Sequence, residues 1–88
     1  MEPESIKQQL EREGYGRVFV WTDAPDARYP DHTHAGETAH IVLAGEIAIT
    51  SAEGIQTYKI GGRFDVPAGS VHSAVVGPKG CTYVVGEK

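Results

Sequence analysis

Beyond residue 16 the chain reads as short runs in which apolar and polar positions alternate, each closed by Gly, Pro or Asp. A period of two is the signature of half-buried strands. In "RVFVWT" (17–22), Val18, Val20 and Thr22 face one way while Phe19 and Trp21 face the other. "TAHIVLAG" and "EIAIT" read as strands around Gly45, "SAEGI" as a turn and "QTYKI" as the strand after it. "GGRFDVPAGS" holds a short strand between two turn signals; "VHSAVV", the turn "GPKG" and "CTYVVG" finish the chain. The pattern predicts about seven or eight short strands, an all-β barrel or double-sheet sandwich. The segment "DAPDARYPD" (23–31), with two prolines and three aspartates, reads as a loop or irregular edge.

The beginning of the chain has a different rhythm. In "ESIKQQLERE" (4–13), Ile6 and Leu10 stand i, i+4 among strong helix formers, and Gly14 follows as a stop. A short N-terminal helix within residues 1–14, packing or dimerisation material, is therefore expected ahead of a barrel over 15–88.

Size and charge narrow the picture further. Eighty-eight residues make one domain. A chain this short buries only roughly 60–65% of its unfolded surface, so a homodimer would add needed burial. A net charge of −4 and the lack of any basic run argue against nucleic-acid or anionic-membrane surfaces. "MEPESIKQQL" carries charge where a secretory signal would be apolar, and the aliphatic runs fall far short of the ~20 residues of a membrane span. The single cysteine, Cys81, has no intramolecular partner, which fits a cytoplasmic setting.

The candidate chemistry lies in "DHTHAGETAHIVLAG" (31–45). His32 and His34 share a strand face, and the same parity places Thr38, His40 and Val42 there if the strand continues regularly. Two neutral imidazoles on one face need only a third to hold a transition metal, and His72 is available from a neighbouring strand. All four histidines lie in these two regions. Other readings fail on context. "ETAH" matches the Glu-x-x-His of di-iron bundles, but that site needs four helices. The glycine pairs open no helix and carry no Lys-Ser/Thr, so they are not phosphate loops. Ser70 or Ser73 with His72 and Asp65 lacks a nucleophile elbow.

These residues resemble the cupins, small jelly-roll β-barrels. The first cupin motif is Gly-x5-His-x-His-x3–4-Glu-x6-Gly, and here His32-x-His34 and Gly45 match it. The second is Gly-x5-Pro-x-Gly-x2-His-x3-Asn, matched by Gly61, Pro67, Gly69 and His72. The resemblance spans roughly residues 26–85. Asp26 and Val76 replace the first glycine and the last asparagine, and Thr38 occupies the glutamate position, with Glu37 one residue early.

The resemblance implies His32, His34 and His72 as metal ligands, with His40 in place of the usual carboxylate. Glu37 is the alternative ligand if a bulge at Ala35–Gly36 re-aims it. Thr38 and Tyr29 are expected to line the cavity. A histidine shell suits one divalent transition metal per chain, among Zn, Fe, Ni, Cu and Mn, rather than Mg or Ca. The implied activity is that of a metal-dependent dioxygenase, isomerase or decarboxylase acting on a small molecule. The alternative is a non-catalytic module that binds a small ligand or senses metal.

Overall fold

The structure, a computed structural model, describes residues 2–88; Met1, the first residue of the expected helical segment, lies outside them. One helix, α1 (Pro3–Arg12), precedes six strands: β1 (Arg17–Asp23), β2 (Arg28–His32), β3 (Thr38–Ser51), β4 (Gly54–Tyr58), β5 (Arg63–Val66) and β6 (His72–Glu87). One expectation is corrected here. The stretches around Gly45 and "GPKG" do not separate strands but bend two long ones, β3 and β6. The segment 23–31, expected as a loop or irregular edge, carries the short strand β2, which pairs with β6 alone and through a register shift. Pro30 is tolerated there because β2 has a partner on one side only.

The long strands β3 and β6 run antiparallel, with register shifts between Val42 and Ala44 and between Gly45 and Ile47. These shifts turn the sheet, so each strand serves two layers. In one layer the order is β1, β6 (81–87), β3 (38–45), β5; in the other it is β2, β6 (72–76), β3 (47–50), β4. The result is a jelly-roll barrel. At the bend Gly45 has φ +75°, and a Cβ there would lie 2.0 Å from the carbonyl oxygen of Gly80. No side chain fits that approach.

Where β3 and β6 pair in the first layer both faces are largely buried, and the pleat sorts the residues. Ala39, Ile41 and Val84 face outward and receive Ile6 and Leu10 of α1 together with Tyr15. Val42, Phe64, Tyr83 and Val85 face inward and pack with Ile47, Val76 and Cys81 from across the barrel. Glu2 caps α1 by accepting from the Glu4 N–H at 3.2 Å. Arg63 on β5 then clamps the helix end, donating to both carboxylate oxygens of Glu13 at 2.9 and 2.7 Å. The barrel interior, left concave between the two layers, is where the histidines sit.

Candidate functional site

His32 ends β2 and His72 begins β6, and the register places them directly opposite each other. A shift between Tyr29 and His32 twists β2 at that point. His34 lies just beyond, and its carbonyl accepts the N–H of Gly69 at 2.9 Å. Gly69, with φ +75°, belongs to the turn that leads from Pro67 into β6, so one hydrogen bond ties the two histidine-bearing segments together. The ring centroids stand 5.1 Å apart for His32 and His34, 4.2 Å for His32 and His72, and 5.1 Å for His34 and His72.

These three imidazoles fit a transition-metal ion. Each offers one ring nitrogen, and the three atoms lie within 4.8 Å of one another. The tautomers suit the task as well. Nδ1 of His32 lies 2.7 Å from the Pro30 carbonyl oxygen, and Nδ1 of His72 lies 3.3 Å from that of Ser70. A carbonyl only accepts, so Nδ1 carries the proton in both rings and Nε2 keeps its lone pair. Metal-bound histidines are commonly held by such a bond on the other nitrogen. Burial holds His34 and His72 below the usual imidazole value, and the neighbouring His32 adds to it. Both therefore stay neutral at neutral pH, the form that coordinates a cation.

His40 stands outside that group of three. It lines the same cavity from β3, stacked on its cross-strand neighbour Phe64 at 4.4 Å and 8°. Its Nε2 lies 3.2 Å from Oγ1 of Thr38, and its Nδ1 is buried without a hydrogen-bond partner among the described residues. Burial, reinforced by His34 and His72, lowers it to about 4. Thr38 is itself buried and meets the site through His40. Glu37 points elsewhere: its carboxylate accepts from Lys88 Nζ at 3.3 Å, and its carbonyl accepts from the Lys88 N–H at 3.0 Å.

The histidines open onto a cavity of about 250 Å³ walled by aromatic and aliphatic side chains, among them Phe19, Trp21, Phe64 and Ile49. Tyr29 lines it 6.2 Å from His32, and Tyr83 lines it 5.7 Å from His40. Behind this wall stands a residue the sequence did not single out. Asp23, 6% exposed, accepts the indole N–H of Trp21 at 2.9 Å, the Tyr83 hydroxyl at 2.6 Å and the Tyr29 hydroxyl. Burial and the Asp23 carboxylate push both phenols above their usual value, so they remain protonated. Trp21 and Asp23 lie i, i+2 on one face of β1, a pairing that the sequence reading missed because it ended the strand at Thr22 and left Asp23 in the following segment.

Solved structures share this architecture. An RmlC-like cupin from Shewanella frigidimarina superposes with a TM-score of 0.71 at 23% identity, covering 80% of this chain and 62% of the other. The chain folds as a small cupin. A DMSP lyase from Ruegeria pomeroyi (TM-score 0.73, 21% identity, 81% and 36% covered) has a similar barrel. So does a variant of the oxalate decarboxylase of Bacillus subtilis (0.72, 18%, 81% and 20%). The chain thus spans less than two thirds of each of these chains, and its structural neighbours include enzymes. No protein-family model matches its sequence, and no curated protein does so significantly. Among the described residues, no helix is long and apolar enough to cross a membrane.

Proposed function

We propose that this cupin binds one divalent transition metal per chain through His32, His34 and His72 and presents it to a small molecule held in the barrel. The observation that carries the reading is the convergence of three imidazoles, two with Nδ1 engaged by backbone carbonyls, at the mouth of an apolar cavity. His40 is the fourth imidazole of the cavity, and the proposal gives it the remaining protein donor position. Its unpartnered Nδ1 supports that choice, whereas the ion pair of Glu37 with Lys88 speaks against the carboxylate.

A bound ion of this class supplies Lewis-acid or redox chemistry. The chain's own residues orient and enclose: Phe64 and Trp21 give apolar faces, and Tyr29 and Tyr83 hold their protons. His40, lowered to about 4, is neutral at physiological pH. The oxygenase, isomerase or decarboxylase class is the proposed activity, and the neighbouring lyase and decarboxylase structures support it at the level of fold. We propose a homodimer in a reducing compartment. Exposed Val20 and Val75 and the lone buried Cys81 support that setting.

Elemental analysis of protein purified without a tag or added metal tests the centre. About one Fe, Ni, Cu, Mn or Zn per chain is expected, and the His32→Ala/His34→Ala variant should lose it while keeping its β-sheet circular dichroism. No metal in the parent protein would overturn the reading. His40→Ala should weaken retention; an unchanged metal ratio would reduce the shell to three histidines.

A further inference from the structure

Among the described residues Asp23 is the one buried carboxylate, and the metal reading gives it no task. It has no ion-pair partner among them, and burying such a group is costly unless hydrogen bonds satisfy it. Three do so, from the Trp21 indole N–H, the Tyr83 hydroxyl and the Tyr29 hydroxyl. Two of these bonds stay within one layer, since Trp21 and Tyr83 pair across β1 and β6 beside Asp23. The third joins the two layers. Tyr29 belongs to β2, so its bond makes Asp23 a side-chain tie from β1 to the strand that carries His32.

That tie reaches His32 by two routes. The lead-in to β2 is held by β6, through the Val76 N–H on the Ala27 carbonyl at 2.8 Å and the Arg28–Val75 and Tyr29–Ala74 pairs. Beyond Tyr29 the register shifts until His32 meets His72, and Pro30 has no N–H to give. β2 has no strand on its other side. The stretch that aims the Pro30 carbonyl therefore begins at the residue Asp23 holds. That carbonyl stands 2.7 Å from Nδ1 of His32 and keeps the proton there, leaving Nε2 its lone pair. The second route is the Tyr29 ring, which lies beside the His32 ring with 6.2 Å between centroids. His72 differs, because its Nδ1 faces the Ser70 carbonyl in the turn from Pro67, outside the Asp23 network.

We propose that Asp23 is a positioning residue for the histidine centre: by holding the Tyr29 hydroxyl it fixes the end of β2, and with it the Nδ1–H tautomer and the aim of His32. The inference rests on the reading of His32, His34 and His72 as a metal site, but its first readout needs no metal. Asp23 acts through Tyr29 and is not itself a ligand.

The test uses the whole chain freed of metal with a chelator, at about pH 8 where the imidazoles are neutral. Nitrogen-15 shifts of the ring nitrogens report each histidine's tautomer. In the parent, His32 and His72 should both carry the proton on Nδ1. In Asp23→Asn the amide keeps one acceptor oxygen and cannot receive all three donors, so His32 should lose part of its Nδ1–H form while His72 keeps its own. Tyr29→Phe removes a single hydroxyl, serves if Asp23→Asn fails to fold, and should act alike. Tyr83→Phe removes an equivalent bond within one layer and should lower stability in urea without moving His32. Zinc titration gives the second readout. Asp23→Asn and Tyr29→Phe should bind zinc about tenfold more weakly than the parent, the low end for an outer partner of a metal-bound histidine, and Tyr83→Phe should match the parent. An unmoved His32, or unchanged zinc affinity, in both variants would overturn the proposal. So would an equal shift of His72 or an equal effect of Tyr83→Phe, since either would mean general loosening. A parent chain that binds no zinc yet shows the His32 shift sinks the metal centre and leaves the tie to His32 standing; zinc bound without any shift sinks this inference alone.

Discussion

His40 shows how one buried side chain makes stability depend on pH. Its folded value of about 4 lies below the ~6.5 of an unfolded-chain imidazole, so the unfolded state takes up a proton first as pH falls. Stability is therefore full above pH ~6.5, declines between there and about 4, and levels off below. The span corresponds to on the order of 3 kcal/mol. Denaturant midpoints of metal-free protein at pH 7 and 4.5 should separate, and His40→Gln should remove much of the separation. An equal separation in the variant would assign it to other groups, His34 and His72 among them. Gly45 is the sharpest steric position. Its φ of +75° and the 2.0 Å approach to the Gly80 carbonyl meet backbone, which cannot step aside. Gly45→Ala should cost about 3 kcal/mol or more in urea unfolding, whereas Gly54→Ala, also at positive φ but in open space, should cost only about 1–2.

At the scale of elements, α1 is held by packing rather than by its ion pairs. Leu10 is fully buried against the outer face of β3 and β6, and Leu10→Ala should lower stability by about 2–5 kcal/mol. Arg63 clamps Glu13 and Asp65 at the surface, where exposure and salt screen the charges. Arg63→Ala should cost at most about 1 kcal/mol. The reverse order in thermal melts would mean that the clamp, not the apolar stripe, seats the helix. The helix itself was legible because Ile6 and Leu10 repeat at its period and Gly14 stops it. The strand count was not. Glycines inside β3 and β6 carry the same turn signal whether a strand ends or bends, and only cross-strand register tells the two apart. Likewise His32, His34 and His72 followed from pleat parity and motif spacing. The Asp23 network did not, because its hydrogen bonds join β1, β2 and β6, which are distant in sequence.

For the whole molecule, the histidine cluster lies where three separate segments of the barrel meet. It links the end of β2, the segment after it and the start of β6, a junction spanned by backbone bonds such as Gly69 to His34. An ion bridging all three segments would couple them, and its binding free energy would add to folding. Zinc at about a hundred times its dissociation constant should add about 2.7 kcal/mol, a rise in melting temperature on the order of 10–20 °C for a domain of this size. Protons compete for the same lone pairs. Because burial lowers His34 and His72, that competition sets in below the ~6.5 of free imidazole, so the zinc-induced rise should persist at pH 6.5 and fade towards pH 5. Melting curves across that range, with and without zinc, measure it. The His32→Ala/His34→Ala variant should show no zinc effect at any pH. A rise that survived in the variant would place the ion elsewhere on the barrel; one that persisted unchanged at pH 4 would require a carboxylate ligand, since imidazoles alone would by then be protonated.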